Sequence, residues 1–165
     1  MKHLRTWGWL AAFILLVAGF FYQTILYQKL PVPSDTLVGL YHPWRDAFAR
    51  DYPRGIPFKN FLITDPIRQQ IPWRKIVIDS WKAGTRPGWN PYSFAGVPLD
   101  ANNQAAPYYP LNILFFLFEF PVAWTLLIML QPMLAGTFFY LYVRRLNISA
   151  LSAFTGAVVW SFSGF

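Results

Sequence analysis

The chain opens on an unbroken apolar run. Between Arg5 and Lys29 no residue is charged, and the segment reads TWGWLAAFILLVAGFFYQTILYQ. A helix over residues 7–27 would rise roughly 31 Å, matching the ~30 Å hydrocarbon core of a bilayer. The pattern therefore predicts a first membrane-spanning helix behind a short basic tail, residues 1–6. A cleaved secretory signal carries an apolar stretch of about 7–15 residues and a small-residue exit. This run is longer and has no such exit. At Lys29 the pattern changes: residues 29–110 hold twelve of the fourteen prolines, six of the seven acidic residues and ten of the fourteen basic ones. A water-side loop over 28–110 is predicted. Hydrophobicity resumes at Leu111 and persists to Val143, too long for one simple span. Pro121 divides it into a short interfacial or re-entrant helix, 111–120, and a second span, 122–143, kinked at Pro132. Arg144 and Arg145 stop that span, residues 144–148 form a short loop, and 149–165 begin a third apolar helix with no polar flank, as in a truncated chain.

Inside the loop, Thr64-Asp65-Pro66 predicts a helix start, with Asp65 capping and proline in the first turn. Ile67, Ile71, Val77, Ile78 and Trp81 give this helix an apolar face that fits the membrane surface, Pro72 must kink or split it, and Gly84 ends it. From Gly84 to Gln104 periodicity vanishes in favour of turn formers, amides and aromatics. Such a stretch either lines a binding site, its aromatics stacking on sugar faces and its amides bonding hydroxyls, or serves as a packed cap. Residue chemistry leaves both open. Trp73, Trp81, Trp89, Tyr92 and Tyr109 are too many aromatics for a solvated linker, and most of them are expected to be at least half buried.

Composition sharpens the class. The chain is 55% hydrophobic and only 13% charged, about half the ~25% usual in soluble domains, so the fold class expected is an all-α integral membrane protein. The net charge of +7 is dispersed among aromatics, prolines and carboxylates, which argues for lipid headgroups as partners and against nucleic acid. With no cysteine, disulfides, thiolate metal sites and cysteine nucleophiles are excluded, and His3 and His42 are the only histidines. Lys2 and Arg5 before the first span and Arg144 and Arg145 after the second place both flanks in the cytoplasm. The loop between them is then extracytoplasmic, since the positive-inside rule weakens beyond ~60 residues. On that topology the Asn147-Ile148-Ser149 sequon faces the cytoplasm and is not a glycan acceptor.

Two segments of the loop resemble each other. Ser34-Asp35 leads to Pro43-Trp44-Arg45, and Thr64-Asp65 leads to Pro72-Trp73-Arg74. Each aspartate alone fits a turn or cap, and each Trp-Arg pair fits an interfacial anchor. A wider pattern adds to this: Asp65-x3-Gln69-x2-Pro72-Trp73, then Trp89-Asn90-Pro91-Tyr92, Gly96, and Tyr109-Pro110 before a hydrophobic block. This order of elements resembles the start of the bacterial YfhO-like membrane proteins, related to the GT-C glycosyltransferases. The resemblance implies a polytopic helical protein of the bacterial cytoplasmic (inner) membrane with its N-terminus inside. It also implies transfer of a sugar from a polyprenyl-phosphate donor to a cell-envelope or lipid acceptor. It matches Asp65 to the loop's catalytic carboxylate, with Asp35 in the position other members of the superfamily use, and leaves open which is the base. Gln69 stands beside Asp65 in the same pattern, Arg68 and Arg74 are cations suited to a leaving phosphate, and Trp89, Asn90, Tyr92, Asn103 and Gln104 are the substrate-binding candidates of the loop if it lines a site. No cofactor is called for, although a divalent metal bridging the two aspartates is conceivable. The alternative expectation is a non-enzymatic transporter or envelope-assembly protein that binds a glycolipid with the same loop; the absence of charge within the spans weighs against transport.

Overall fold

The computed structural model describes residues 2–55, 60 and 62–163. Met1, where the expected tail starts, and Gly164 and Phe165, where the third apolar segment ends, lie outside the described residues. The described chain is mostly helical, with two strands of two residues each, as the all-α expectation required. It divides into two compact units: Met1–Pro31 with Pro121–Phe165, and Val32–Phe120.

The first unit holds α1 (Lys2–Phe20), α2 (Tyr22–Tyr27), α7 (Phe120–Arg145, its first residue belonging to the second unit) and α8 (Ala150–Phe162). Among the described residues α7 is the one helix long and apolar enough to cross a membrane, and Trp7–Phe20 and Ala150–Phe162 are shorter apolar helices. The helix expected over 7–27 is therefore two pieces. Phe21, at φ −92° and ψ 24°, steps out of the α region, but its N–H still bonds the Val17 carbonyl at 3.0 Å and its carbonyl accepts from Ile25 at 3.1 Å. The break is one residue wide. Helix α7 encloses Pro132 and ends on Arg144 and Arg145, where cations complement the negative end of the helix dipole. Asn147, at φ +59°, reverses the chain. Ser149 then caps α8 by accepting the Ser152 N–H at 3.1 Å. The sequon residues thus serve as a turn and a cap.

Small residues let these helices meet. Phe13 and Val17 of α1, Tyr140 of α7, and Ala153 and Ala157 of α8 form one buried cluster. A Cβ on Gly136 would fall 2.1 Å from the Phe13 ring, and one on Gly156 would fall 2.8 Å from the Phe139 ring. Close approach at small residues is how apolar helices associate when the hydrophobic effect gives them no preference for each other over lipid.

The second unit contains α3 (Ser34–Leu40), α4 (Trp44–Ala47), a π-helical turn (Pro66–Gln70), α5 (Ile71–Lys82), strands β1 (Trp89–Asn90) and β2 (Val97–Pro98), a 3-10 turn (Pro110–Ile113) and α6 (Leu114–Leu117). Its buried apolar residues include Val77, Ile78, Leu99, Ala105 and Phe115. The strands pair antiparallel, Trp89 opposite Pro98 and Asn90 opposite Val97. Two sequence expectations are resolved here. Of the kink or split expected at Pro72 the structure has the split, a π turn ahead of it and α5 from Ile71 on, with the Ile71 N–H bonded to the Pro66 carbonyl. Pro72 has no N–H and its ring crowds the carbonyl four residues back, so a wider turn ahead of it relieves the clash. The helix expected over 111–120 begins as a tight 3-10 turn, and its α-helical part is the four residues of α6.

Candidate functional site

The two candidate carboxylates occupy different settings. Asp35 stands half-buried in the first turn of α3. Asp65 is exposed at the entry to the π turn, and its side chain makes no capping hydrogen bond. That corrects the expected role as a cap. Asp65 is itself helical, at φ −57° and ψ −40°, and the ladder already starts at Thr64, whose carbonyl accepts from Ile67 at 3.1 Å and Arg68 at 2.9 Å. A capping side chain must project from an extended residue ahead of the first turn. Within the π turn Gln69 is half-buried and Arg68 exposed. The Arg68 guanidinium lies 5.9 Å from the centre of the Tyr41 ring, within cation–π range. This contact joins the π turn to the end of α3 remote from Asp35.

Among the described residues of the loop, Arg74 differs from the other cations in being buried. It shares the inner face of α5 with Val77 and Ile78, and it donates from Nη1 to Asn112 Oδ1 of the 3-10 turn. Asn112 in turn donates to the Ala106 carbonyl at 2.8 Å. The Arg74 Nε is buried without a hydrogen-bond partner. Burial lowers the pKa of Arg74 from its ordinary value, and the Tyr109 hydroxyl partly opposes this. The spacing of Arg74 three and four residues before Val77 and Ile78 was the available signal that it faces inward.

The amide-rich loop splits into structural and exposed residues. Asn90 is buried, donates to Ser93 Oγ at 3.0 Å and accepts the Tyr92 N–H at 2.9 Å, so both ends of its amide serve the hairpin turn. Trp89 lies across Gly96, where an added Cβ would sit 2.2 Å from the indole nitrogen. Tyr92 is 83% exposed, and Asn103 and Gln104 are exposed as well. Most of the five aromatics, Trp73, Trp81 and Tyr109, are more than half buried, as expected, and Trp89 at 54% exposure and Tyr92 are the exposed remainder. The geometry thus groups Asp65, Arg68 and Gln69 on one turn and places Arg74 with Asn112, and the exposed Trp89, Tyr92, Asn103 and Gln104 belong to the loop beyond α5.

Sequence reasoning missed two polar groups. Arg86 bridges Asp100 at 2.7 Å and Tyr108 Oη at 3.0 Å, both of which raise its pKa, the Tyr108 hydrogen bond most. Beside it Trp81 donates to the Pro107 carbonyl at 3.0 Å. His42, Arg45 and Asp46 form the second group, signalled only by the i, i+4 spacing of His42 and Asp46. Among the described residues no three histidine or carboxylate side chains gather as a metal site. Comparison with protein-family models, with curated proteins and with solved structures gives no match to this chain.

Proposed function

We propose that the chain is part of a GT-C-type glycosyltransferase, a multi-pass protein of the bacterial cytoplasmic membrane with its N-terminus inside, transferring sugar from a polyprenyl-phosphate donor to a cell-envelope or lipid acceptor. The observation that carries the reading is that the stretch of chain separating the apolar helices α1–α2 from α7 is itself a compact unit, Val32–Phe120. A plain connector has no need of a buried core, a paired hairpin and a sequestered arginine. The YfhO-like order of motifs supplies the reaction class.

In this reading Asp65 is the base and Asp35 the alternative. Exposure leaves the Asp65 carboxylate accessible to an acceptor, and the absence of a capping bond leaves its lone pairs available. The carboxylate takes the proton of the acceptor hydroxyl as that oxygen attacks the anomeric carbon. The bond from that carbon to the phosphate oxygen breaks, and polyprenyl phosphate leaves with the electron pair. Arg68, exposed on the same turn, stabilises the departing charge, with Gln69 orienting the acceptor. Arg74, enclosed and bonded to Asn112, is the second cation of this reading. In the full-length protein Asp65→Asn should retain membrane level and fold while transfer falls by about two orders of magnitude or more, read by incorporation of labelled sugar from the lipid-linked donor. Unchanged transfer in a folded Asp65→Asn protein would overturn the assignment.

A further inference from the structure

Beyond the carboxylate turn, a second concavity lies between α3, α4 and the chain that follows them. It is a cavity of about 290 Å³ lined by Gly39, Arg45, Asp46, Phe48, Tyr52 and Gly55 among others. None of these residues was assigned to the transfer site. We propose that this cavity binds a single neutral sugar ring.

Three observations carry the inference. The polar groups are held in place before any ligand arrives. His42 Nδ1 lies 2.6 Å from Asp46 Oδ2, and Arg45 Nη2 lies 3.1 Å from His42 Nε2. Because a guanidinium only donates, Nε2 must be the accepting nitrogen, and Nδ1–H therefore donates to Asp46. Arg45 Nε also stands 3.7 Å from Asp46 Oδ1. The carboxylate and guanidinium are thereby fixed side by side at the cavity wall, an acceptor beside a donor, the pairing that vicinal hydroxyls require.

Charge selects the class of ligand. With His42 neutral, the Arg45 and Asp46 charges cancel, and Asp46 on the wall repels phosphate or carboxylate. A neutral polyol meets no such penalty. The remaining wall then matches it: Phe48 and Tyr52, one helical turn apart in sequence, remain 41% and 44% exposed although they line a cavity, and uncovered aromatic faces stack on the C–H face of a sugar. The size agrees, since this volume sits at the low end of the ~300–1,000 Å³ of small-molecule sites and fits one ring better than a chain.

The test is saturation-transfer NMR on the full chain in detergent micelles, with the methyl glycosides of glucose, galactose, mannose and N-acetylglucosamine as probes. At least one should receive saturation from the Phe48 and Tyr52 rings, and Asp46→Asn and Tyr52→Ala should each weaken binding by about tenfold or more with the helical circular dichroism unchanged. Asp46 is exposed, so its isosteric replacement tests binding without disturbing a core. The proposal is overturned if no glycoside binds, if both variants bind as well as the parent, or if inorganic phosphate competes as strongly as any sugar. It also falls if Tyr52→Ala reduces partition onto lipid vesicles while glycoside binding stays intact, since the aromatics are then membrane anchors. Sugar transfer plays no part in this readout, so failure of the transferase reading leaves it standing.

Discussion

At the residue scale, Arg74 makes the strongest physical demand on the fold. A guanidinium withdrawn from water costs several kcal/mol unless its donors find acceptors, and this one has Asn112 for Nη1 and no partner for Nε. Removing the acceptor while leaving the charge should therefore hurt more than removing the charge. Asn112→Leu is expected to destabilise by about 2–3 kcal/mol, the worth of a hydrogen bond to a charged group, whereas Arg74→Met, which fills the same space without charge, should be near neutral or stabilising. Denaturant unfolding in detergent, followed by circular dichroism, distinguishes them, and a larger loss for Arg74→Met would show that the arginine is a net stabiliser. The comparison also explains why two look-alike segments diverge. Pro43-Trp44-Arg45 and Pro72-Trp73-Arg74 read alike, yet Arg45 is exposed beside His42 while Arg74 is enclosed. Local sequence records the residue types. Arg74 meets the 3-10 turn carrying Asn112, brought from a distant part of the chain, whereas the partners of Arg45 are its near neighbours His42 and Asp46.

At the element scale, the helices were legible where their causes are local. The apolar runs, the charge pair closing α7, Pro132 inside it and the left-handed Gly84 after α5 are all written in consecutive residues. Illegible were the features set by geometry across the chain: the one-residue break at Phe21, the π turn ahead of Pro72, and the Asn112 acceptor that meets Arg74. Of the candidate site residues, Asn90 shows the difficulty most clearly, since its amide suited a ligand as well as a turn until the hairpin used both of its ends. The seam between α1, α7 and α8 offers a test of packing. Gly136→Val should destabilise by about 1–3 kcal/mol, the usual cost of overpacking, because the new side chain meets the buried Phe13 ring and Ser161 Oγ. Pairing it with Phe13→Ala should return part of that loss. A Gly136→Val protein that unfolds like the parent would show that the seam is loose.

At the scale of the whole molecule, the first expectation is topological. A reporter fused after Arg145 should be active only in the cytoplasm, and one inserted within residues 84–103 only outside, because the basic flanks set the orientation; the opposite labelling would remove the transferase reading along with the topology. A second consequence follows from the first unit being discontinuous, with Phe13 and Val17 in one piece and Tyr140, Ala153 and Ala157 in the other. During synthesis the helix bearing Phe13 emerges first and waits for roughly 120 residues, about 6–25 s at ordinary elongation rates, before its first partner, Tyr140, exists. The intervening unit, compact in itself, has that interval to fold. Tethering costs little in the end, since closing a long loop grows only logarithmically with its length. What the insertion imposes is an order of synthesis: residues 32–120 are made before the helices that complete the seam with Phe13 and Val17.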